Sequence, residues 1–428
     1  MSGLLGRLLT ALGERSDYDA ASQCSRCGYC GQACPTYVAT RREAQSGRGR
    51  NQIVRLLLEG KFSDPLSAEE ALSTCLLCGA CTTVCPAHVP TADIVLEGRR
   101  ELSLKEKAWP QRIAHRLFVE RPDVLARLVK AGYALKRAGL SRLAAWTGML
   151  RLLGLRALEE ADAHVREAPK RLLFELLRED PSLRESPDAA WRYFAACGPN
   201  FVFPRVGLAS IRVLKRACGK GSFFDNHCCG LLAYNYGDLG TARALARRNI
   251  ERLETLGGEA PLIADCSSCA AFLKSYPQLF LPDPAWRARA ERFAARVRDV
   301  VELAPAVRKG ALAGVYALHD SCRARNGEGL VLEPRRAIRA AAADYRELPE
   351  ADVCCGGAGF FAFKHPELSD AILRRKVSDI AAAQARVVSV SATSCMIQLA
   401  RGMKKYYPEC RVVHWSEAVC ETLDNQDG

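Results

Sequence analysis

Apolar positions recur in two rhythms along this chain, and the rhythm changes at Trp191. Downstream, short apolar runs end on cysteine or serine: Arg192-Tyr-Phe-Ala-Ala-Cys197, Pro261-Leu-Ile-Ala-Asp-Cys266, Gly314-Val-Tyr-Ala-Leu-His-Asp-Ser-Cys322 and Arg386-Val-Val-Ser-Val-Ser391. Each reads as a buried strand, and helical stretches at Gly240 to Leu256 and Glu367 to Ala385 separate them. Strands alternating with helices predict parallel α/β units, whose ligands sit beyond the carboxyl ends of the strands. Upstream, residues 105–190 are rich in Leu, Ala and Arg. Leu125, Leu128, Val129, Gly132, Tyr133 and Leu135 fall at helical spacing. Pro110, Pro122, Pro169 and Pro181 break that region into several helices. A short amphipathic helix is expected at Gln52 to Glu59, and Leu4, Leu5, Leu8, Leu9 and Leu12 also stand at helical spacing.

The strand–helix region repeats itself. Cys197 to Cys322 spans 125 residues, while Cys228 to Cys354, Cys229 to Cys355 and Cys269 to Cys395 each span 126. Arg247-Arg248-Asn249-Ile250 is answered by Arg374-Arg375-Lys376-Val377. A fixed offset over this many positions means a duplicated unit.

Composition narrows the setting. A chain of 428 residues that is 49% hydrophobic can bury more than one core. No apolar run approaches the roughly eighteen residues of a membrane span, and the N-terminus lacks a secretory cleavage pattern, so a cytoplasmic location is expected. The net charge of +13 would suit nucleic acid, an acidic protein or anionic lipid alike. Aromatic-and-basic stacking platforms for single strands are missing, which argues against nucleic acid. Twenty cysteines in a long chain of this kind favour metal or redox chemistry over a disulfide scaffold.

Two runs carry the sharpest signal: Cys24-x2-Cys27-x2-Cys30-x3-Cys34-Pro35 and Cys75-x2-Cys78-x2-Cys81-x3-Cys85-Pro86. This is the bacterial ferredoxin spacing for [4Fe–4S] cubes, in which the fourth cysteine of each run serves the other cluster. Cys24, Cys27, Cys30 and Cys85 are thus expected to hold one cube, and Cys75, Cys78, Cys81 and Cys34 the other. Structural zinc would need only four cysteines in two separated pairs. Gly28, Gly31 and Gly79 suit loops that approach sulfur closely. Arg48, Arg50 and Arg55 either soften the charge of the clusters or form a solvated face.

With the two runs, the paired cysteines Cys228–Cys229 and Cys354–Cys355 and their frames on the page, the chain resembles a known family. Each repeat is similar to the cysteine-rich CCG domain of heterodisulfide reductases. Two such domains behind a paired-cluster domain resemble the iron–sulfur subunit of glycolate oxidase, a plan shared by the iron–sulfur subunit of anaerobic glycerol-3-phosphate dehydrogenase. The resemblance covers residues 20–105 and about 191–420. It implies a non-cubane [4Fe–4S] cluster on the five cysteines Cys197, Cys228, Cys229, Cys266 and Cys269. In the second repeat Ala392 replaces the counterpart of Cys266. Cys322, Cys354, Cys355 and Cys395 remain, enough for an ordinary [4Fe–4S] cube or for zinc. Cys218, Cys410 and Cys420 match no motif position. His227 and His319 are read as structural, with hydrogen bonding to cluster sulfur as the alternative.

The chain shows no nucleophile beside a base, no paired carboxylates and no phosphate-cradling glycine loop for FAD or NAD. Chemistry on an organic acid then needs a partner polypeptide carrying flavin. The resemblance implies an electron-transfer subunit of an FAD-linked glycolate or lactate dehydrogenase, not catalytic alone. It would relay electrons between an FAD-containing dehydrogenase subunit and a quinone or another electron carrier, with room for peripheral association on the inner face of a membrane. The alternative is a heterodisulfide-reductase-like module acting at the non-cubane cluster, or the glycerol-3-phosphate system. The expected fold class is a multidomain α+β and α/β chain. Its parts are a ferredoxin-type 2×[4Fe–4S] domain (1–105), a helical linker (106–190), and two pseudo-symmetric α/β CCG domains (191–305 and 306–428).

Overall fold

The computed structural model describes residues 7–103, 113, 115–140, 168–359 and 361–423. Pro110 and much of the expected linker lie outside the described residues, as do Leu4 and Leu5.

The first described element departs from the helical spacing of the leucines. β1 (Arg7–Thr10) and β2 (Gly13–Ser16) form an antiparallel hairpin with Arg7 opposite Ser16. Thr10 Oγ1 donates to the Gly13 carbonyl at 2.9 Å, and Gly13 takes a φ of 87°, which closes the turn. Leu8 is then buried and Leu9 exposed, the period of two that a half-covered strand requires.

The helix expected from Gln52 begins earlier, at Gly47, and runs to Leu58. The Ser46 hydroxyl caps it by accepting from Gly49 N at 3.0 Å. Two glycines in a first turn are poor helix formers, but Gly49 has no room for a side chain and Gly47 is tightly held. A Cβ on Gly49 would lie 2.1 Å from the Glu43 carbonyl oxygen, and one on Gly47 would meet Cys81 Cβ at 3.0 Å and Cys30 Sγ at 3.2 Å.

The helix Pro122–Arg137 bears out the periodicity upstream of Trp191, with Pro122 at its first turn. It packs on the chain's own α/β region: Tyr133 Oη donates to the Phe201 carbonyl at 2.8 Å, and Lys130 pairs with Glu175 at 2.6 Å. Leu128 and Leu135 stay exposed on its outer face.

Beyond Trp191 come two four-stranded, all-parallel sheets. The first contains β3 (Arg192–Phe194), β4 (Ser222–Phe223), β5 (Leu262–Ala264) and β6 (Val297–Asp299), in the order β4-β3-β5-β6. The second contains β7 (Leu312–Leu318), β8 (Ala342–Tyr345), β9 (Val387–Val390) and β10 (Arg411–His414), in the order β10-β9-β7-β8. Numbered within its own half, each sheet runs second, first, third, fourth. The sequence repeat is therefore a repeat of topology. Strand order reverses between the first and third strands, so the crevice at their carboxyl ends is where such a sheet binds ligands.

The halves are not beads on a string. One apolar cluster joins Trp191, Tyr193 and Ile263 of the first half to Leu312, Tyr316 and Trp415 of the second. At the cluster's edge Ser210 Oγ donates to Ser416 Oγ at 2.8 Å.

Candidate metal centres

All twenty cysteines are free thiols, and seventeen of them occupy the predicted ligand positions. The two N-terminal runs lie side by side, separated by the start of the Gly47–Leu58 helix. Gly47 fits between Cys30 of the first run and Cys81 of the second, where a Cβ would press on both cysteines. Cys34, the last cysteine of the first run, lines one cavity together with Cys75, Cys78 and Cys81 of the second. That grouping is the crossed one read from the spacing. Burial pushes the Cys30 thiol up, and the neighbouring Cys24 of the same run adds to it. The four soft sulfur donors around one cavity, beside the tightly held Gly47, fit a [4Fe–4S] cube.

The three arginines divide. Arg50 is buried, donating to the Ala71 carbonyl, to Thr36 and Thr74 Oγ1, and to Cys34 Sγ at 3.7 Å. Arg48 reaches across the first loop to the Arg26 carbonyl at 3.2 Å while pairing with Glu43. Arg55 pairs with Glu59 on the surface. A solvated face describes Arg48 and Arg55, whose side chains are each 34% exposed, and not Arg50.

In the first α/β half, Cys197 opens the helix after β3, Cys228 and Cys229 lie in the loop after β4, and Cys266 and Cys269 follow β5. These three segments converge on the crevice between β3 and β5. Cys229 Sγ lies 3.3 Å from Cys269 Sγ, Cys228 contacts both Cys197 and Cys229, and Cys269 contacts Cys266. Gly230, at a φ of 90°, turns its N–H toward Cys228 Sγ at 3.5 Å. The Cys269 thiol, with help from Thr393, holds Cys266 down to about 6 against the penalty of burial. His227 is half-buried, and burial followed by Arg248 keeps its ring below the usual imidazole range.

The second half repeats the plan with one change. Cys322 contacts Cys354, Cys354 contacts Cys355, and Cys355 contacts Cys395. Ala392 (φ −130°, ψ 128°) has the extended backbone of Cys266 (φ −142°, ψ 114°), and its methyl is fully buried. The departure at Ala392 is thus a loss of the donor atom alone. His319 was read from the sequence as structural, with a hydrogen bond to cluster sulfur as the alternative, and the structure brings it next to Cys355 and Cys395. Cys218, Cys410 and Cys420 remain outside these groups.

The two halves face each other through these sites. All nine α/β-domain ligand candidates line one cavity at the junction, together with Leu76 from the N-terminal unit. Thr393 Oγ1 of the second half sits 3.6 Å from Cys266 Sγ of the first, and Ser267 N donates to the Ser391 carbonyl at 3.0 Å. The N-terminal unit docks on the same junction: Asn326 Nδ2 donates to the Cys78 carbonyl at 2.9 Å and Asn326 Oδ1 accepts from Thr83 Oγ1 at 3.0 Å. Arg99 ties the Cys75 carbonyl to that of Asn235, each at 2.7 Å. The second-run cavity therefore abuts the second half at Cys322, which acts on Cys78.

Comparison with known proteins agrees with this layout. Residues 20–89 match the family described as 4Fe-4S dicluster domain, and residues 191–274 and 316–400 match the one described as cysteine-rich domain. A protein of Bacillus subtilis (strain 168) named as a probable glycolate oxidase iron-sulfur subunit is 30% identical over 96% of each chain. The glycolate oxidase iron-sulfur subunit of Escherichia coli (strain K12) is 27% identical over 94% of each chain. Lactate utilization protein A of Exiguobacterium sp. (strain ATCC BAA-1283 / AT1b) is 29% identical over 53% of this chain and 96% of that protein. No helix among the described residues is long and apolar enough to cross a membrane.

Proposed function

The chain belongs to the glycolate oxidase iron–sulfur subunit family, and from that premise we propose that it is the electron-transfer subunit of an FAD-linked 2-hydroxyacid dehydrogenase. A partner flavoprotein oxidises glycolate or lactate, and this chain takes the electrons singly toward a quinone or another carrier. Cys24, Cys27, Cys30 and Cys85 hold one [4Fe–4S] cube, and Cys75, Cys78, Cys81 and Cys34 the second. Cys197, Cys228, Cys229, Cys266 and Cys269 hold a third, non-cubane cluster, and the metal of the second half is [4Fe–4S] or zinc. The domain limits read from the sequence, 1–105, 106–190, 191–305 and 306–428, follow these sites. Iron–sulfur clusters supply one-electron exchange without proton chemistry. The chain's own residues align the sites, exclude water from them and set their charge.

The observation that carries this reading is the docking of the second-run loop, through Asn326, onto a junction lined by nine thiols. It sets the sites in a contiguous row, as a relay needs. The test is glycolate- and lactate-dependent dye reduction by the full chain, purified anaerobically, with and without an FAD-linked hydroxyacid dehydrogenase subunit. Activity is expected only with the flavoprotein; robust turnover by the chain alone would sink the reading.

A further inference from the structure

The second half carries a histidine that the relay does not use. His319 follows β7 and is 1% exposed, and neither ring nitrogen has a hydrogen-bond partner. The Ala351 carbonyl acts on the ring but closes no hydrogen bond with it. A buried polar group left unsatisfied calls for an explanation, a bound ion being one of the few available. Here the surroundings supply it: a ring nitrogen of His319, Cys355 Sγ and Cys395 Sγ all lie within 4.8 Å of one another, and all three residues are buried. A tetrahedral zinc, with bonds of about 2.3 Å to sulfur and about 2.0 Å to nitrogen, spaces its ligand atoms by about 3.5–3.8 Å. A slight closure of the trio meets one ion. Cys354, in contact with Cys355 and itself buried, offers a third thiolate; Cys322 stands one contact further along the row of thiols.

Comparison of the halves points the same way. Three residues before the first ligand cysteine the first half has Phe194, fully buried, where the second has His319. At the position of Cys266 the second half has Ala392. The half with five thiols therefore has an apolar ring beside them, and the half that lost a thiol has gained a nitrogen donor. Cys/His donor sets in closed, buried sites are those of structural zinc.

Resting on the reading above of metal sites in both halves, we propose that His319, Cys354, Cys355 and Cys395 bind a single tetrahedral ion of the zinc class. The second half then serves as a redox-silent buttress, and the electron-carrying site of the α/β region is the one in the first half. The order of the relay changes accordingly, from the second-run cavity across the junction at Leu76 to the first half.

The full chain, purified anaerobically, should contain about one zinc, with three sulfurs and one nitrogen in its zinc-edge X-ray absorption. Its iron should be near twelve atoms, for three four-iron clusters. His319→Ala should lose the nitrogen and most of the zinc, with iron content and the paramagnetic resonance of the clusters unchanged. His319→Cys keeps a donor for the fold and should retain zinc in an all-sulfur shell, so instability of the alanine variant leaves the test standing. A zinc shell without nitrogen, a nitrogen that survives His319→Ala, or iron near sixteen atoms with no zinc overturns the proposal. Cluster reduction by hydroxyacid through the flavoprotein is read on the unmodified chain: its failure strikes the relay alone, and a missing zinc site strikes this inference alone.

Discussion

Arg50 Nη1 donates to Cys34 Sγ at 3.7 Å from a side chain that is 1% exposed. A buried cation against one sulfur of the second-run cavity favours the more negative state of whatever that sulfur binds. Hydrogen bonds and charge near sulfur set cluster potentials. Arg50→Gln should therefore lower the potential of that centre by about 60 mV, a tenfold change in a one-electron equilibrium, with Arg50→Lys intermediate. Redox titration followed by paramagnetic resonance reads it; an unshifted potential would show that Arg50 only ties the Ala71, Thr36 and Thr74 groups together.

The grouping of Cys34 with Cys75, Cys78 and Cys81 around one cavity makes crossed ligation testable by pairs of substitutions. Cys27→Ser and Cys85→Ser should each remove the same cluster, so the double variant loses no more iron than either alone, about four atoms. Cys78→Ser with Cys85→Ser should lose about eight. If the first pair also loses about eight, each run holds its own cluster.

These features differ in how far the sequence could show them. Strands, helices and the duplicated frame were legible because each is written in local periodicity or fixed spacing, as at Leu239–Leu256 and Pro366–Ala382. The hairpin at Arg7–Ser16 was not, since Leu8, Leu9 and Leu12 satisfy a helical spacing while the turn at Gly13 decides otherwise. Nor could spacing bring Asn326 to the Cys78 carbonyl, 248 residues away in the chain, because that contact depends on which faces of separate units meet. Arg50 and Arg55 look alike as letters. They lie on different faces of one helix, and the burial of one of them is a tertiary fact. His319 could be singled out in the sequence as structural or as a hydrogen-bond partner of sulfur, but a place among metal donors shows only when Cys355 and Cys395 fold onto it.

A third expectation concerns pH. Glu97, buried in the helix Thr91–Ser103 and paired with Arg100, has its carboxyl pushed up to about 7 by burial, against the pull of Arg100. In the unfolded chain a glutamate titrates near about 4.3. Between those values the folded chain keeps a proton that the unfolded chain has released, so this group's stabilisation is complete at low pH and is lost as pH rises. The loss is at most about 1.4 kcal/mol per pH unit and ends above about 7. Glu97→Gln removes it. Melting temperatures of variant and parent should diverge in the variant's favour from pH 5.5 to 7.5 and keep a constant gap above that; a gap that does not change with pH would refute the assignment.

The final expectation separates the two α/β halves. Cys269 Sγ lies 3.3 Å from Cys229 Sγ, and Cys269 also contacts Cys266, so it joins the pair after β4 to the thiol after β5. Five thiols exceed what a closed cube uses, and the surplus is what an open, non-cubane centre needs. Cys269→Ala leaves four donors in the first half and should abolish the paramagnetic signal of that centre, with the signals of the N-terminal clusters intact. Electron delivery from flavoprotein to final acceptor should fall by at least the roughly 10–100-fold that loss of an outer partner costs a metal site. Cys410→Ala, a buried thiol outside every group, should change neither reading. Ala392→Cys adds a fifth thiol to the second half, on a backbone that already matches Cys266, and should leave the first-half signal as it was. If Cys269→Ala keeps the unusual signal, or Ala392→Cys erases it, the five-thiol site is not where that centre resides.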